Sequence, residues 1–361
     1  LAAARQIEQE WSRARVLVAL APQLTGEERE QVLREGLAAA RAIKDEEERA
    51  EVLAALAPQL MGEEREQVLR EGLAAARAIV YEVFRANVLA ALAPQLTGEN
   101  LREGLAAARA FEDERSRANV LAALAPQLTG ENLREGLAAA RAIVYEVSRA
   151  NVLAALAPQL TGEEREQVLR EGLAAARAIK DEEKRAQVLV ALAPQLTDEE
   201  REQVLREGLA AARAIKHEWS RARALVALAP QLTGENLCES LAAARAIKDE
   251  EERAEVLVAL APQFTGEERE QVLREGLAAA RAIEDEWYRA RVLVALAPLL
   301  QHEQVHATLL EFIERLLNKE RSRVLELFAH EKLFAPPILS PEILAVIAKH
   351  TIEICQKWQW L

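Results

Sequence analysis

Apolar residues in this chain recur at helical spacing inside a longer period. Val32, Leu33, Gly36, Leu37, Ala40 and Ile43 form one such stripe, and Val52, Leu53 and Leu56 form another after a charged break. That spacing puts each set on one face of a helix, so the stretch predicts helix A from about residue 26 to 43 and helix B after residue 45. The block at residues 37–72, LAAARAIKDEEERAEVLAALAPQLMGEEREQVLREG, is then written about nine times. A period of this length marks a stacked array of supersecondary units.

The prolines of the LAP motif stand at 22, 58, 94, 126, 158, 194, 230, 262 and 298, separated by 36 or 32 residues. Long gaps carry TGEEREQVLREG or a close variant, and short gaps carry TGENLREG or TGENLCES. The four-residue difference is about one helical turn, a deletion that nearly keeps the inward face, as expected if the segment is helical. Thr25 and Glu28 read as a capping box at the start of helix A, and Asp45 with Glu48 as a second at the start of helix B. Pro58 stops helix B. Gly36 and its counterparts, all Gly except Ser240, predict close helix approach. Two antiparallel helices per unit give an all-α fold, an α-solenoid superhelix of αα-hairpin repeats of 32–36 residues.

The tandem repeats are expected over residues 1–298. Residues 299–361 continue as a degenerate tenth repeat and a C-terminal capping helix, with Phe312, Phe328, Phe334, Trp358 and Trp360 sealing the end of the core. The absence of Met at Leu1 reads as a fragment cut from a longer array, and the degenerate repeat as the natural end of the protein.

Hydrophobic residues make up 50% and aromatics only 4%, so the core must be built from Ala, Leu and Val. A net charge of −13 without a basic stripe argues against a nucleic-acid partner. No apolar run approaches a membrane span, so no membrane association is expected. Cys238 and Cys355 stand alone, which fits a reducing, cytoplasmic setting. No phosphate loop, nucleophile motif or other cofactor signature is present, so no cofactor and no enzyme activity are expected.

One catalytic pattern occurs. His302-Glu303-Gln304-Val305-His306 reads HExxH, two imidazoles on one helical face with a general base between them. Glu326, twenty residues beyond His306, gives a third ligand at a spacing that resembles gluzincin metallopeptidases. Repeat register accounts for the same residues: His302 replaces the Gly of the capping segment, and Glu303 is the ordinary Glu235-type residue. The expected reading is a surface helix with no metal, and a zinc peptidase is the remote alternative.

Near-identical units provide an internal comparison. Glu46 and Arg49 recur throughout, for instance as Glu82/Arg85 and Glu218/Arg221. Arg49 falls on the packed side of helix B, which predicts carboxylate ladders between units, with Arg41 of LAAAR in the same role. Variation is concentrated in one helix-B column, at the positions of Glu47, Glu51 and Ala54. Its first two members read Trp11/Arg15, Glu47/Glu51, Val83/Asn87, Arg115/Asn119, Val147/Asn151, Glu183/Gln187, Trp219/Arg223, Glu251/Glu255 and Trp287/Arg291. Tyr81 and Tyr145 join from the turn before helix B. If helix B lines a concave side, Trp11, Arg15, Tyr81, Asn87, Asn119, Tyr145, Asn151, Trp219, Arg223, Trp287 and Arg291 form a binding surface for a protein or peptide. The alternatives are Trp packing on a neighbouring unit under a local cation–π pair, or drift at positions without a packing role. A spacer or self-assembling homo-oligomer is the competing function.

The unit resembles HEAT repeats in LxxLAPQL and in the Asp-then-Arg order of DEEER, and tetratricopeptide repeats in the Gly and Pro spacing of its short form. LAAARAIxDExxRAxVLxALAPQL is similar to arrays of large bacterial, often cyanobacterial, multidomain proteins. There such arrays follow STAND-type NTPase modules (NACHT or NB-ARC), which implies a sensor or scaffold role and carries no catalytic residue into this sequence.

Overall fold

The computed structural model describes residues 1–296 and 299–300. The degenerate tenth repeat, the capping helix, and His302, His306 and Glu326 lie outside the described residues. The chain divides into two compact units, Leu1–Lys180 with Ala191–Asp198, and Asp181–Val190 with the described residues from Glu199 onward. Each is built from regularly repeating helix pairs, an all-α solenoid without strands among the described residues. In chain order the helices are α1 (Ala2–Arg5), α2 (Glu10–Leu20), α3 (Gly26–Ala42), α4 (Glu46–Leu56), α5 (Gly62–Ala78) and α6 (Glu82–Leu92). They continue as α7 (Gly98–Arg109), α8 (Glu114–Leu124), α9 (Gly130–Arg141), α10 (Glu146–Leu156), α11 (Gly162–Ala178) and α12 (Glu182–Leu192). The last are α13 (Asp198–Ala214), α14 (Glu218–Leu228), α15 (Gly234–Arg245), α16 (Glu250–Leu260), α17 (Gly266–Ala282) and α18 (Glu286–Leu296). From α2 onward even numbers are B helices and odd numbers A helices. None of them is long and apolar enough to cross a membrane.

The expected stripe is the buried one: Val32, Leu33, Gly36, Leu37 and Ala40 face inward on α3, joined by Ala39, with Ile43 buried just beyond. Each B helix from α2 to α16 runs into a single 3-10 turn such as Ala57–Gln59, with the LAP proline inside that turn. The start of helix A differs from expectation. Thr25 is the N-cap residue, but its hydroxyl makes no capping bond. Gly26 follows in a left-handed conformation at φ +58° that favours glycine, while Asp198 opens α13 at the equivalent position without a positive φ, so the entry to helix A has two forms. Met61 replaces the threonine in the next unit with nearly the same backbone, φ −132° and ψ 159° against −134° and 162°, and confirms that the hydroxyl is dispensable. Helix B does carry its expected cap, since Asp45 accepts from the Glu48 N–H at 2.9 Å.

Glycine inside helix A has a length-dependent reason. At Gly36 in long α3 an added Cβ would stand 3.6 Å from Leu17 Cβ, an ordinary contact. At Gly104 and Gly136, in short α7 and α9, it would stand 2.6 and 2.7 Å from a leucine Cδ1. The approach is closest in the short units, while Gly72 of long α5 comes next, at 3.2 Å from Leu92 Cδ2. In the third short helix Ser240 takes this place, fully buried with its hydroxyl unpartnered.

Successive units are tied by three polar devices. The first is the expected ladder, formed by the LAAAR arginine alone. Arg5, Arg41, Arg141 and Arg245 each grip the Glu of the next A helix (Glu35, Glu71, Glu171 and Glu275) through two hydrogen bonds of 2.8–3.1 Å. Arg49 does not join it. Its guanidinium donates to the carbonyls of Ile43 and Lys44 in its own interhelical turn and lies 3.8 Å from Glu46. Carbonyls left free at the end of helix A take up this charge locally, so it needs no carboxylate from another unit.

The other two devices alternate with the length of helix A. Where helix A is long, the Gln of LAPQ reaches the previous B helix: Gln59 donates to Val18 O (3.0 Å), Gln95 to Ala54 O (3.1 Å), Gln195 to Ala154 O (2.9 Å) and Gln231 to Val190 O (3.2 Å). Each acceptor lies four residues before a LAP proline, which has no N–H to offer it. The proline of one unit orphans a carbonyl and the glutamine of the next unit fills it. Where helix A is short, Gln127, Gln159 and Gln263 make no such bond among the described residues. Instead the first Glu of the preceding B helix accepts backbone N–H groups of the following turn. Glu82 takes Glu112 and Asp113, Glu114 takes Val144 and Tyr145, and Glu218 takes Asp249. Asn100 and Asn236, buried in short α7 and α15, also donate to backbone O of Glu66 and Glu202 in the long A helix before them.

Candidate functional site

The repeated polar residues are thus occupied in stacking the units, and the helix-B column is the part that varies, with one inter-unit bond of its own from Arg291 to Glu251 and Glu255. Its first position is solvent-facing wherever it is aromatic in α14 and α18: Trp219 is 57% exposed and Trp287 49%. Each carries its arginine one turn on, with the Arg223 guanidinium 4.6 Å from the Trp219 ring centre and Arg291 5.4 Å from Trp287. Arg15 stacks over Trp11 at 4.5 Å in the same way. Trp11 is half-buried with its indole N–H enclosed and unpartnered. The cation–π pair therefore forms at all three places, while Trp219 and Trp287 keep about half their surface in water rather than packing into a neighbour. Asn87, Asn119 and Asn151 are exposed at the second column position of α6, α8 and α10. The third position is buried at Val18, Ala54 and Ala154 and half-buried at Ala90, Ala122, Val190, Val226 and Val258, which leaves the first two positions as the more open part of the column.

Tyr81 and Tyr145 occupy the N-cap position of α6 and α10, and neither side chain caps its helix. Asp45, Asp113 and Asp249 do so at the same place. Exchange of such a cap for tyrosine forgoes about 1 kcal/mol at each helix start. Arg115 of the preceding unit lies 5.3 Å from the Tyr145 ring. Around Tyr81 the structure adds Val80 and Phe84, which the repeat comparison passed over. Val80 (83% exposed) and Phe84 (45%) surround it with the column residue Val83 (61%), and Tyr81 and Phe84 meet edge to face at 6.0 Å. The signal was in the sequence, since Val80 and Phe84 replace charged residues, Lys44 and Glu48, of the model unit.

Grooves run between consecutive B helices beside this column. One of about 490 Å³ between α2 and α4 is walled by Arg15 and Glu51 over Val18 and Ala55. A second of about 530 Å³ between α4 and α6 lies between Glu47 and Glu51 on one side and Phe84 and Asn87 on the other. Burial raises the Glu47 carboxyl above its ordinary range, with Glu51, Asp45 and Glu48 adding negative charge around it. Burial does the same to Glu251, against the opposing pull of Arg291. No cluster of three His, Cys, Asp or Glu side chains suited to a metal ion occurs among the described residues.

The Arg–Glu ladder has a pH signature. Hydrogen bonds from Arg5, Arg41, Arg141 and Arg245 hold the carboxyls of Glu35, Glu71, Glu171 and Glu275 below their ordinary value. Groups lowered on folding add stability that is present above about pH 4.3 and lost as the pH falls through the lower folded values. Glu252, pushed up to about 7 by burial, adds stability as the pH drops below that value, while the ladder's contribution to thermal stability is expected to be nearly level from about pH 7 to 5 and to fall away below about pH 4.5. Arg41→Gln should make that fall shallower, by a small increment because the pairs are half-exposed. Circular dichroism melts across the series check it, and an unchanged acid slope would contradict the assignment.

No protein-family model matches the chain, and no curated protein matches it. Among solved structures, 23 chains match. A structure of APUM23, a Pumilio-type repeat protein, with its insert region deleted and with the RNA sequence GGAAUUGACGG, is 12% identical. That match covers 90% of this chain and 81% of the other, with a TM-score of 0.50. A crystal structure of Ton1535 from Thermococcus onnurineus NA1 is 15% identical over 83% of this chain and 94% of that one, with a TM-score of 0.32. At 12% identity the APUM23 likeness concerns the fold, a repetitive all-α helical array, and not what is bound.

Proposed function

We propose that this chain is a non-catalytic binding solenoid that holds a protein or peptide partner on its helix-B column. The observation that carries the reading is the pair of half-exposed tryptophans, Trp219 and Trp287, each with a stacked arginine, at the first position of the variable helix-B column. Trp and Arg supply most binding energy in known interfaces because they bury a large rigid surface at low entropic cost. The net charge of −13 favours a partner with basic features and disfavours RNA. The resemblance of LAAARAIxDExxRAxVLxALAPQL to bacterial STAND-associated arrays supports a sensor or scaffold region of a larger signalling protein.

The test is capture of partners by the wild-type chain and by a Trp11→Ala, Trp219→Ala, Trp287→Ala variant, with and without ribonuclease. A protein lost from the variant and retained after ribonuclease supports the reading. Capture of RNA, or a partner indifferent to the three substitutions, contradicts it. Trp219→Ala and Trp287→Ala should each move stability by less than about 1 kcal/mol, as for surface positions. A fall of many degrees in the melting temperature would instead make them packing residues. Sedimentation separates the competing role, since concentration-dependent self-association with no partner would mark a spacer or self-assembling element.

A further inference from the structure

Two places in the array carry the same pair of carboxylates on a B helix, followed by a long A helix and another B helix. In α16 they are Glu251 and Glu255, in α4 Glu47 and Glu51, at identical repeat positions. The following B helix presents Arg291 in α18 but Asn87 in α6. Arg291 shows what the pair is built to hold. Its guanidinium donates to Glu251 at 2.8 Å and also bonds Glu255, and it lies 5.2 Å from the Tyr288 ring and 5.4 Å from Trp287. Two carboxylates of α16 and the aromatic rings of α18 flank one planar cation that stays half in water, a fit that guanidinium makes better than ammonium.

At α4 and α6 the same walls stand without the cation. Glu47 and Glu51 are in no ion pair among the described residues. Phe84 occupies the place of Tyr288, and Ala54 and Ala55 line the floor of the groove. Asn87 is too short to reach across as Arg291 does. Arg15, on the other side of Glu51, is stacked on Trp11. Val80, Tyr81 and Val83 leave an apolar rim in water beside the opening.

We infer that the groove between α4 and α6 accepts an arginine side chain presented by a partner protein, clamped by Glu47 and Glu51 over the Phe84 ring, with apolar neighbours of that arginine resting on Val80, Tyr81 and Val83. The inference rests on the reading of the helix-B column as a partner-binding surface and names the chemistry that one groove selects. An uncharged isostere loses the charge-assisted bonds, and lysine loses the stacked plane.

The probe is a fluorescein-labelled helix-forming peptide of twelve residues with one central arginine between leucines, titrated against the full chain up to about 1 mM, beside its citrulline and lysine versions. The citrulline peptide should bind about ten- to hundredfold more weakly. Glu47→Gln with Glu51→Gln should have the same effect on the arginine peptide, and Asn87→Arg, which fills the clamp from within, should abolish binding. Asn87→Arg should also raise the melting temperature, and the two glutamine substitutions should cancel that rise. Absence of binding, binding indifferent to Asn87→Arg, or no gain in melting temperature would each overturn the inference. Binding that is lost instead on Trp219→Ala and Trp287→Ala would overturn the groove assignment while leaving the column as the binding surface.

Discussion

Alanine in place of Leu92 is expected to lower unfolding free energy by about 2–5 kcal/mol, the range for emptying a fully enclosed leucine site. Leu92 closes α6 with no exposed surface, and its Cδ2 lies 3.2 Å from where a Cβ on Gly72 would stand. The glycine of the intervening A helix and the last leucine of helix B therefore share one volume. Gly72→Ala in the Leu92→Ala background should return part of the loss, because the methyl enters the vacated space and alanine favours helix over glycine by about 1 kcal/mol. Gly72→Ala alone gains less, since the leucine must yield a few tenths of an ångström. Chemical denaturation of the four proteins checks the coupling, and additive effects would contradict it. Exchange of backbone amides should rise in α5 and α6 first, as repeat stability is set by nearest neighbours.

Alanine at Gln95 is expected to cost about 1–3 kcal/mol, as for leaving a buried acceptor without a donor. The acceptor is Ala54 O, which Pro58 leaves unpaired, and Gln95 lies in the next LAPQ turn. Two controls make the argument specific. In a Pro58→Ala background residue 58 regains an N–H for Ala54 O, so loss of Gln95 should cost much less. Gln127 sits in the same motif after the short helix α7 and makes no comparable bond among the described residues. Alanine there should stay within about 0.5 kcal/mol. Equal costs at Gln95 and Gln127 would refute the alternation between long and short units.

How far these features could be read from the sequence depends on the reach of the interaction. The helix pairs, the buried stripes of α3 and α4, and the Asp45 cap depend on neighbours within about one turn, so spacing alone reveals them. The reach of Arg41 to Glu71 was legible as invariance, but not its partner, 30 residues away. Arg49 looked the same on a helical wheel and ended differently, because free carbonyls at the end of its own helix A lie closer than any carboxylate of the next unit. The Gln59–Val18 bond follows from Pro22 once two units are stacked, yet a single unit contains only half of it. At the surface, comparison of copies picked out the Trp–Arg positions, and the arginine stacks on the tryptophan at each of the three. It placed Glu47 and Glu51 in the column but not among the binding residues, and passed over Phe84, because their significance lies in what the neighbouring unit lacks.

The central claim is that partners meet the helix-B column and not the A helices, and site-specific photo-crosslinking in cells tests it most directly. Benzoylphenylalanine would be placed singly at Asn119 and Trp219 on the column, and at Glu131 and Glu235, which are exposed on helix A. The account predicts the same crosslinked protein from Asn119 or Trp219 and none from Glu131 and Glu235. Crosslinks of equal strength from the A helices, or only between copies of this chain, would contradict it.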